Sequence, residues 1–319
     1  MSVLTPSLAK RLAPSLPERT LINGDFESGA LLGLDQVPFG LLYGKERRAT
    51  LRDARKAYAA YRANFGYKQA SAAMLTKPSA QAKLKKSERY TLGLMLVPQL
   101  GLNTFTYLGT TKPMNLCAGA SKGCIEACLA TSGHGAFDTT QAARQVRTGF
   151  IFSYPYFAGL LIGAELANAI AMGAKKNIGI NFRFNVVSDL RIELIAPLLM
   201  RELIAQGVRL YDYTALKPHM RAPMPGYNLT YSAKESAHTS DSYLADILRG
   251  GNNVAMPFQT KGKLPDTYAL DGQSFTVING DLSDDRTLDP RGVIVGLTVK
   301  GNKARKDKTG FIRQLLPIS

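Results

Sequence analysis

The sequence predicts an α/β fold, a partial or irregular β/α barrel of the TIM type that follows a basic, mainly helical N-terminal arm. From about residue 90 onward, short β-like runs alternate with helical stretches, which is typical of a parallel sheet. The 319 residues are 45% hydrophobic, enough to bury one large core. Short later connections favour an incomplete barrel over an open doubly wound sheet. We expect the arm over residues 1–90 and the barrel-like domain over residues 91–319.

The arm carries most of the positive charge of the chain. Residues 45–89 contain 13 Lys and Arg against 3 acidic residues, and the whole chain has a formal net charge of +16. Within this segment, residues 51–65 predict an amphipathic helix. Such an excess favours nucleic acid as the partner of residues 45–89. The tyrosines on the apolar face of the helix could stack on bases or belong to the core. That face comprises Leu51, Ala54, Tyr58, Tyr61 and Phe65.

The predicted barrel contains seven strands and three helical stretches. The strands are expected at residues 105–109, 178–184, 209–213, 227–231, 253–258, 275–279 and 293–299. The helices are expected at residues 139–174, 190–206 and 240–248, the last two ending at glycines.

All three cysteines of the chain, Cys117, Cys124 and Cys128, lie within twelve residues, after the first predicted strand. An odd, crowded set argues against a secretory disulfide framework and indicates a metal or redox site in a reducing compartment. Thiolates are soft ligands that suit an iron–sulfur cluster or zinc. The sequence therefore predicts a metal site on this loop.

Three interpretations of the cysteines stay open. A four-iron (4Fe-4S) cluster on three cysteines keeps one iron open to another ligand, and we favour this interpretation. Zinc is the alternative, and His134 is the nearest histidine that could complete a Cys3His site. Unligated or redox-active thiols are the third interpretation.

Polar side chains follow several predicted strands, and in a β/α barrel functional groups collect at the carboxyl ends of strands. We therefore expect them to meet near the cysteines. Lys234 and Glu235 follow the fourth predicted strand in the same way. The candidate catalytic residues are Asp189, Asp212, Tyr213 and Lys300, and the candidate cofactor-binding residues are Arg183, Asn185, Ser188 and Ser232.

Each group also has a structural interpretation. Ser188 or Asp189 could cap the helix that follows. Arg183 lies in an apolar run and needs a buried partner such as Asp212 or Asp281. The aspartate-rich residues 281–289 could bind a hard cation or form a turn held by side-chain hydrogen bonds.

Other signals are absent from the sequence. It has no P-loop, nucleophile elbow or dinucleotide fingerprint, and His219 and His238 have no motif around them. The N-terminus lacks the apolar core of a signal peptide, and the apolar run at residues 158–174 is interrupted by Glu165 and Asn168. We expect a soluble, cytoplasmic protein without a membrane partner, in the host cytoplasm if phage-encoded.

Several segments match a known pattern in the same order: GCIEACLA at 123–130, RFNVVSD at 183–189, YDYT at 211–214, NLTYS at 228–232, NVA at 253–255, GDLSDDRTLD at 280–289 and GVIVGL at 292–297. On these motifs the chain resembles, over residues 103–312, a family of phage and plasmid proteins known mainly by a phage gene-product label. This resemblance implies little biochemistry.

The cysteine loop also resembles that of radical S-adenosylmethionine enzymes, which place three cysteines after the first strand of a partial barrel. This resemblance implies a 4Fe-4S cluster with S-adenosylmethionine at the open iron. The chain departs from the usual spacing, has Leu129 where an aromatic residue is common, and lacks an evident Gly-Gly-Glu segment.

Three functions follow as hypotheses, and whether the protein is an enzyme stays open. The first is a radical S-adenosylmethionine-like iron–sulfur protein acting on or near nucleic acid, with Asn185, Asp189 and Ser232 helping to bind the co-substrate and Tyr213 or Lys300 facing the substrate. The second is a non-enzymatic DNA- or RNA-binding protein with a structural metal. The third is a metal-dependent nuclease using Asp189, Asp281 and Asp285.

Overall fold

The computed structural model describes residues 46–64, 72–80, 84–100, 114–128, 130 and 133–315. The predicted strand at 105–109 and the first 45 residues lie outside this part of the chain. The described strands are β1 (Tyr90–Gly93), β2 (Gln99–Leu100), β3 (Met114–Asn115), β4 (Ile180–Arg183), β5 (Arg209–Thr214), β6 (Tyr227–Ser232), β7 (Asn253–Phe258), β8 (Thr267–Leu270), β9 (Gln273–Asn279) and β10 (Ile294–Thr298). The described helices are α1 (Glu46–Asn64), α2 (Lys122–Glu126), α3 (Asp138–Ser153), α4 (Pro155–Lys176), α5 (Ile192–Ile195), α6 (Pro197–Ala205), α7 (Asp241–Arg249) and α8 (Asn302–Arg305).

Eight of these strands form one mostly parallel sheet, in the order β1-β4-β5-β6-β7-β10-β9-β8. Only β8 runs antiparallel to its neighbour, whereas β2 and β3 make a separate two-stranded ribbon. Because β1, β4, β5, β6 and β7 follow one another in the same direction, their carboxyl ends share one edge of the sheet. This edge, called the carboxyl edge below, positions the candidate site.

The α/β class is confirmed, but closure into a barrel is not: the sheet of described strands is open. At one end Gly93 of β1 forms an antiparallel bridge with Thr76. At the other end β8 pairs with β9 as an antiparallel hairpin. A parallel barrel closes by pairing its first and last strands in parallel, and antiparallel segments occupy both ends here.

Two predicted helices are each divided by a proline. The predicted helix 139–174 is α3 and α4, separated at Tyr154, and the predicted helix 190–206 is α5 and α6, separated at Ala196. Pro155 and Pro197 each begin the second helix of a pair, because proline lacks the N–H needed inside a helix but fits its first turn. Strands β1, β2, β3 and β8 were not predicted.

The inner face of α1 belongs to the main hydrophobic core. Leu51, Ala54 and Tyr58 are buried, and the Tyr58 ring lies 4.8 Å from the ring of Phe150 in α3. Tyr61 packs on the same phenylalanine at 5.6 Å. Both tyrosines therefore serve the core, not a stacking surface. The division of the chain at residue 90 stays a prediction.

One helix in the described part of the chain, α4, is long and apolar enough to cross a membrane by length and composition. Of its most apolar window, 67% is buried inside the protein. Its Glu165 carboxylate accepts hydrogen bonds from the backbone N–H groups of Met74 (2.8 Å) and Leu75 (2.9 Å). Such burial and hydrogen bonds are typical of a helix in a protein core.

Candidate metal site at the carboxyl edge

The cysteine loop, here residues 115–128, lies across the carboxyl edge of the sheet. Leu116 accepts a hydrogen bond from the backbone N–H of Asp189 at 2.7 Å, and the Cys117 Sγ lies 3.7 Å from the Val187 carbonyl oxygen. Val187 and Asp189 follow β4. Gly119 lies against Ala215, just after β5, and Ser121 and Gly123 hydrogen-bond to Glu235, after β6. The fold thus brings the cysteine loop to the ends of three adjacent parallel strands.

Two glycines permit this close approach. A Cβ on Gly119 would lie 2.7 Å from the carbonyl atoms of Ala215, just after β5. A Cβ on Gly123 would lie 2.2 Å from the Thr309 Oγ1 and 2.6 Å from the Phe311 Cβ. Any side chain at either position would push the loop away from the sheet or from the C-terminal segment.

A carboxylate beyond β6 orients the helix that carries Cys124. Glu235 is buried, and its Oε1 accepts the Gly123 N–H at 2.6 Å while its Oε2 accepts the Ser121 hydroxyl. Ser121 is the N-cap of α2, and its Oγ accepts the Cys124 N–H at 3.3 Å. Burial alone would raise the pKa of Glu235, but these hydrogen bonds outweigh it and lower the pKa. An ionised Glu235 thus holds α2 in place.

Helix α3 supports the chain just beyond Cys128. The Gln141 side-chain amide donates to the carbonyl oxygens of Ala130 (2.7 Å) and Gly135 (2.6 Å). The buried guanidinium of Arg144 donates to the same Ala130 oxygen at 2.8 Å. The end of the loop is therefore fixed to the helical layer as well as to the sheet.

The three thiols are half-buried and none forms a disulfide. Burial raises the pKa of Cys117 well above its usual value and that of Cys124 to about 12, and the Asp189 carboxylate and neighbouring thiols add to both shifts. The thiols are thus near enough to interact electrostatically. Among the described side chains, no three His, Cys, Asp or Glu groups are arranged to hold a single metal ion. The His134 side chain lies outside the described residues.

The predicted residue Arg183 belongs to a buried set called the arginine network: Arg183, Asp284, Asp212, Tyr211 and Tyr213. Its Nη1 lies 2.7 Å from Asp284 Oδ2, and its guanidinium lies over the Tyr211 and Tyr213 rings at 5.4 and 5.2 Å. Its Nε is 3.9 Å from Asp212. The predicted ion pair is present, but its close partner is Asp284, where Asp212 or Asp281 was expected.

Asp212, a candidate catalytic residue, is enclosed by donors. It is fully buried and accepts the Asn185 N–H at 2.8 Å and the Tyr227 hydroxyl at 2.9 Å. Burial raises its pKa to about 6, although Arg183 and these donors oppose the shift. Its contacts hold β4, β5 and β6 together.

The candidate residues in the turn after β4 form hydrogen bonds and an ion pair within the fold. Asn185 Oδ1 accepts the Ser188 hydroxyl at 3.0 Å and the Leu190 N–H at 2.8 Å. Asp189 accepts the Ala215 N–H at 2.7 Å and Arg221 Nη1 at 3.0 Å. Since α5 begins at Ile192, neither Ser188 nor Asp189 caps it, and the capping interpretation is wrong.

Lys300 and the aspartate-rich segment lie in turns. The Lys300 ammonium pairs with Asp281, which also accepts the Thr298 N–H (2.9 Å) and hydroxyl (2.6 Å). Asp285 accepts the Asn181 amide at 2.6 Å and the Thr287 hydroxyl at 2.6 Å. These contacts agree with the turn interpretation of this segment and use the carboxylates that a nuclease would need.

Among the other predicted residues, Asp189, Lys234 and Glu235 lie near enough to the thiols to act on them electrostatically. Tyr213 stays in the arginine network, and Ser232 is half-exposed at the end of β6. Sequence reasoning missed Arg221, whose guanidinium pairs with Glu193 at 2.7 Å and with Asp189 at 3.0 Å. No local motif marks this group, because its members come from separate loops.

Comparison with known proteins confirms one of the two resemblances. The family model GP88, described as gene product 88, matches residues 68–315. No curated protein and no solved structure matches the chain. The resemblance to radical S-adenosylmethionine enzymes is not shown by these comparisons. The chain belongs to the gene product 88 family.

Proposed function

We propose that the protein binds an iron–sulfur cluster through Cys117, Cys124 and Cys128. One observation carries the proposal: the loop with every cysteine of the chain packs on the ends of three adjacent parallel strands, the edge where α/β proteins place their ligands. Half-buried thiols without disulfides suit a reducing compartment, so a cytoplasmic location is part of the proposal.

Three soft thiolates on one loop are a donor set that suits a cluster. Each thiolate of a 4Fe-4S cluster binds a different iron, and the fourth iron is open to another ligand. A mononuclear zinc site needs about four ligands, one more than the three thiolates supply. The cluster would supply electron-transfer chemistry or an open iron, and zinc stays the alternative outcome.

S-adenosylmethionine at the open iron is the finer form of this proposal. The residues first assigned to it do not fit well: Asn185 and Ser188 hydrogen-bond to each other, and Arg183 is enclosed in the arginine network. Ser232, half-exposed at the end of β6, is the remaining member of that set.

Anaerobic reconstitution with iron and sulfide tests the cluster. The parent protein should gain broad visible absorbance and bound iron, and Cys→Ser variants at positions 117, 124 and 128 should each lose most of both. Lys122→Ala, on the exposed face of α2, is the control and should match the parent. Equal iron content in the triple cysteine variant would overturn the proposal, and bound zinc without iron would favour the alternative.

Nucleic-acid binding by α1 is a second proposed function, favoured by the distribution of charge on this helix. Its inner face is buried in the core, while Arg52, Arg55 and Lys56 are exposed on its outer side. A rigid helix that presents three cations suits contact with a phosphate backbone. Because Tyr58 is buried and Tyr61 packs on Phe150, the contact would be electrostatic and insensitive to base sequence.

The triple variant of Arg52, Arg55 and Lys56 to Ala tests this second function. DNA and RNA binding should weaken, and the slope of log affinity against log salt should fall by about three, one per lost phosphate contact. The matched control replaces Lys175 and Lys176, exposed at the end of α4. An unchanged slope would show that α1 does not contact nucleic acid.

A further inference from the structure

A polar cavity opens at the amino ends of β5, β6 and β7, the edge of the sheet opposite the cysteine loop. Its volume is about 500 Å³, which is within the range of sites that bind small molecules. The lining includes the first residue of each of these strands and the segment that ends the aspartate-rich turn: Arg209, Tyr227, Asn253, Thr287, Asp289 and Arg291.

Two asparagines of the lining hold this segment against the sheet. Asn228 Nδ2 donates to the Arg286 carbonyl oxygen at 2.9 Å, and Asn253 Nδ2 donates to the Pro290 carbonyl oxygen at 2.8 Å. Asn253 Oδ1 also accepts the Val293 N–H at 3.1 Å. Because these hydrogen bonds join separate elements, the cavity is formed before any ligand enters it.

The charged side chains of the lining give the cavity a positive character. Arg209 and Arg291 are both exposed, and both line the cavity. Asp289 also belongs to the lining, but its Oδ2 lies 3.1 Å from Nη1 of Arg286, a buried cation that balances its charge. The two exposed guanidinium groups therefore determine which charge a ligand should carry.

Arg89 adds a third cation next to Arg209. Its Nε donates to Asn181 Oδ1 at 2.7 Å, and Asn181 on β4 is paired with Arg209 on β5. Burial and the positive charge of Arg209 lower the pKa of Arg89, although Asp285 opposes this shift. Neighbouring cations beside a preformed cavity favour the binding of an anion.

We propose that this cavity binds a small phosphate monoester, with Arg209 and Arg291 as the ligands of the phosphate group. A phosphate monoester carries about two negative charges near neutral pH, which matches two arginines. A planar guanidinium can donate two parallel hydrogen bonds to phosphate oxygens. The exposed side-chain amide of Asn252, also in the lining, can donate to or accept from the remainder of the ligand. This site goes beyond the proposed iron–sulfur function and does not depend on the cysteines.

Isothermal titration calorimetry with adenosine 5′-monophosphate, adenosine and inorganic phosphate tests the site. Adenosine 5′-monophosphate should bind the parent protein, inorganic phosphate should compete with it, and adenosine should not bind. Arg209→Gln and Arg291→Gln should each weaken binding about tenfold, because each removes a charge-assisted contact. Arg209→Lys keeps the charge but not the planar fork, so it should lose less affinity than Arg209→Gln.

A charge-matched control separates this site from general attraction to a basic protein. The double variant Arg201→Gln, Lys261→Gln removes the same net charge as Arg209→Gln, Arg291→Gln, at exposed positions outside the cavity lining. The control should bind like the parent. Urea denaturation should show parent-like stability for both double variants, because all four positions are exposed.

The inference is overturned if the parent binds neither phosphate probe, if the Arg209→Gln, Arg291→Gln variant binds like the parent, or if the control loses as much affinity. The variants of the three cysteines should bind adenosine 5′-monophosphate like the parent, because the cysteine loop lies at the other edge of the sheet. Loss of iron with retained nucleotide binding therefore separates a failure of the proposed function from a failure of this site.

Discussion

The arginine network and the cysteine loop lie at the same sheet, yet their polar groups differ in what they contact. Arg183 has a carboxylate at 2.7 Å and two aromatic rings under its guanidinium. The thiols of the cysteine loop are half-buried and outside any disulfide. Removing one partner of a buried ion pair leaves the other charge uncompensated, whereas half-buried thiols outside a disulfide can still bind a ligand. The arginine network is therefore structural, and the cysteine loop is the candidate functional site.

The largest effect should come from removing Arg183, the buried cation of the arginine network. Arg183→Met leaves Asp284 buried without its cation and should lower the free energy of unfolding by about 3–5 kcal/mol. Urea denaturation measures the change. Lys263→Met, which breaks the exposed pair with Asp266, should change stability little. Similar losses in the two variants would contradict the structural role of the arginine network.

A smaller effect should come from the cysteine loop. Gly119→Ala places a Cβ against the backbone of Ala215, which cannot move as a flexible side chain would. We expect a loss of about 1–3 kcal/mol in the free energy of unfolding and a fall in bound iron after reconstitution. Gly262→Ala is the matched control, because its nearest neighbour lies 3.9 Å away. Normal iron uptake in Gly119→Ala would mean that the loop position does not matter for the cluster.

The smallest effect should be a dependence of protein stability on pH that is caused by the half-buried carboxyl group of Asp281. Burial would raise its pKa, but hydrogen bonds from Lys300 and Thr298 outweigh burial and lower the pKa. The stabilisation is therefore present above the unfolded pKa of about 3.9 and is lost as the pH falls through the lower folded value.

Melting temperatures of the parent and Asp281→Asn measure this dependence. The difference between them should be largest near neutral pH and should shrink in acid. Asp266→Asn, at an exposed position, should show a smaller difference at every pH. A difference for Asp281→Asn that does not change with pH would contradict the assignment.

Local patterns predicted the regular elements well where they were long or strongly alternating. The predicted strand at residues 253–258 is β7, and the predicted helix at 240–248 is α7 within one residue at each end. Strand β1 was missed because its four residues follow a charged segment and end in glycine. Pro155 and Pro197 divide the two predicted helices. Because the apolar periodicity continues across each proline, the sequence predicted one helix in place of each pair.

The candidate site could also be inferred from the sequence only in part. The crowding of Cys117, Cys124 and Cys128 and the basic outer face of α1 could be inferred from the sequence, because spacing and composition are local. The choice of partner for Arg183 could not, because Asp284 lies 101 positions away in the chain. The ion pair between Asp189 and Arg221 could not be inferred either, because Arg221 lies 32 positions further on, in the loop between β5 and β6.

Composition and local spacing already indicate an α/β protein with a clustered set of cysteines and a basic segment ahead of them. Tertiary packing sets the rest: the sheet of described strands is open, and the candidate residues Asp212, Asn185 and Ser188 are used within the fold. A charge or hydrogen-bond donor acts over only a few ångströms. Which groups come that close depends on how strands and loops far apart in the sequence pack together.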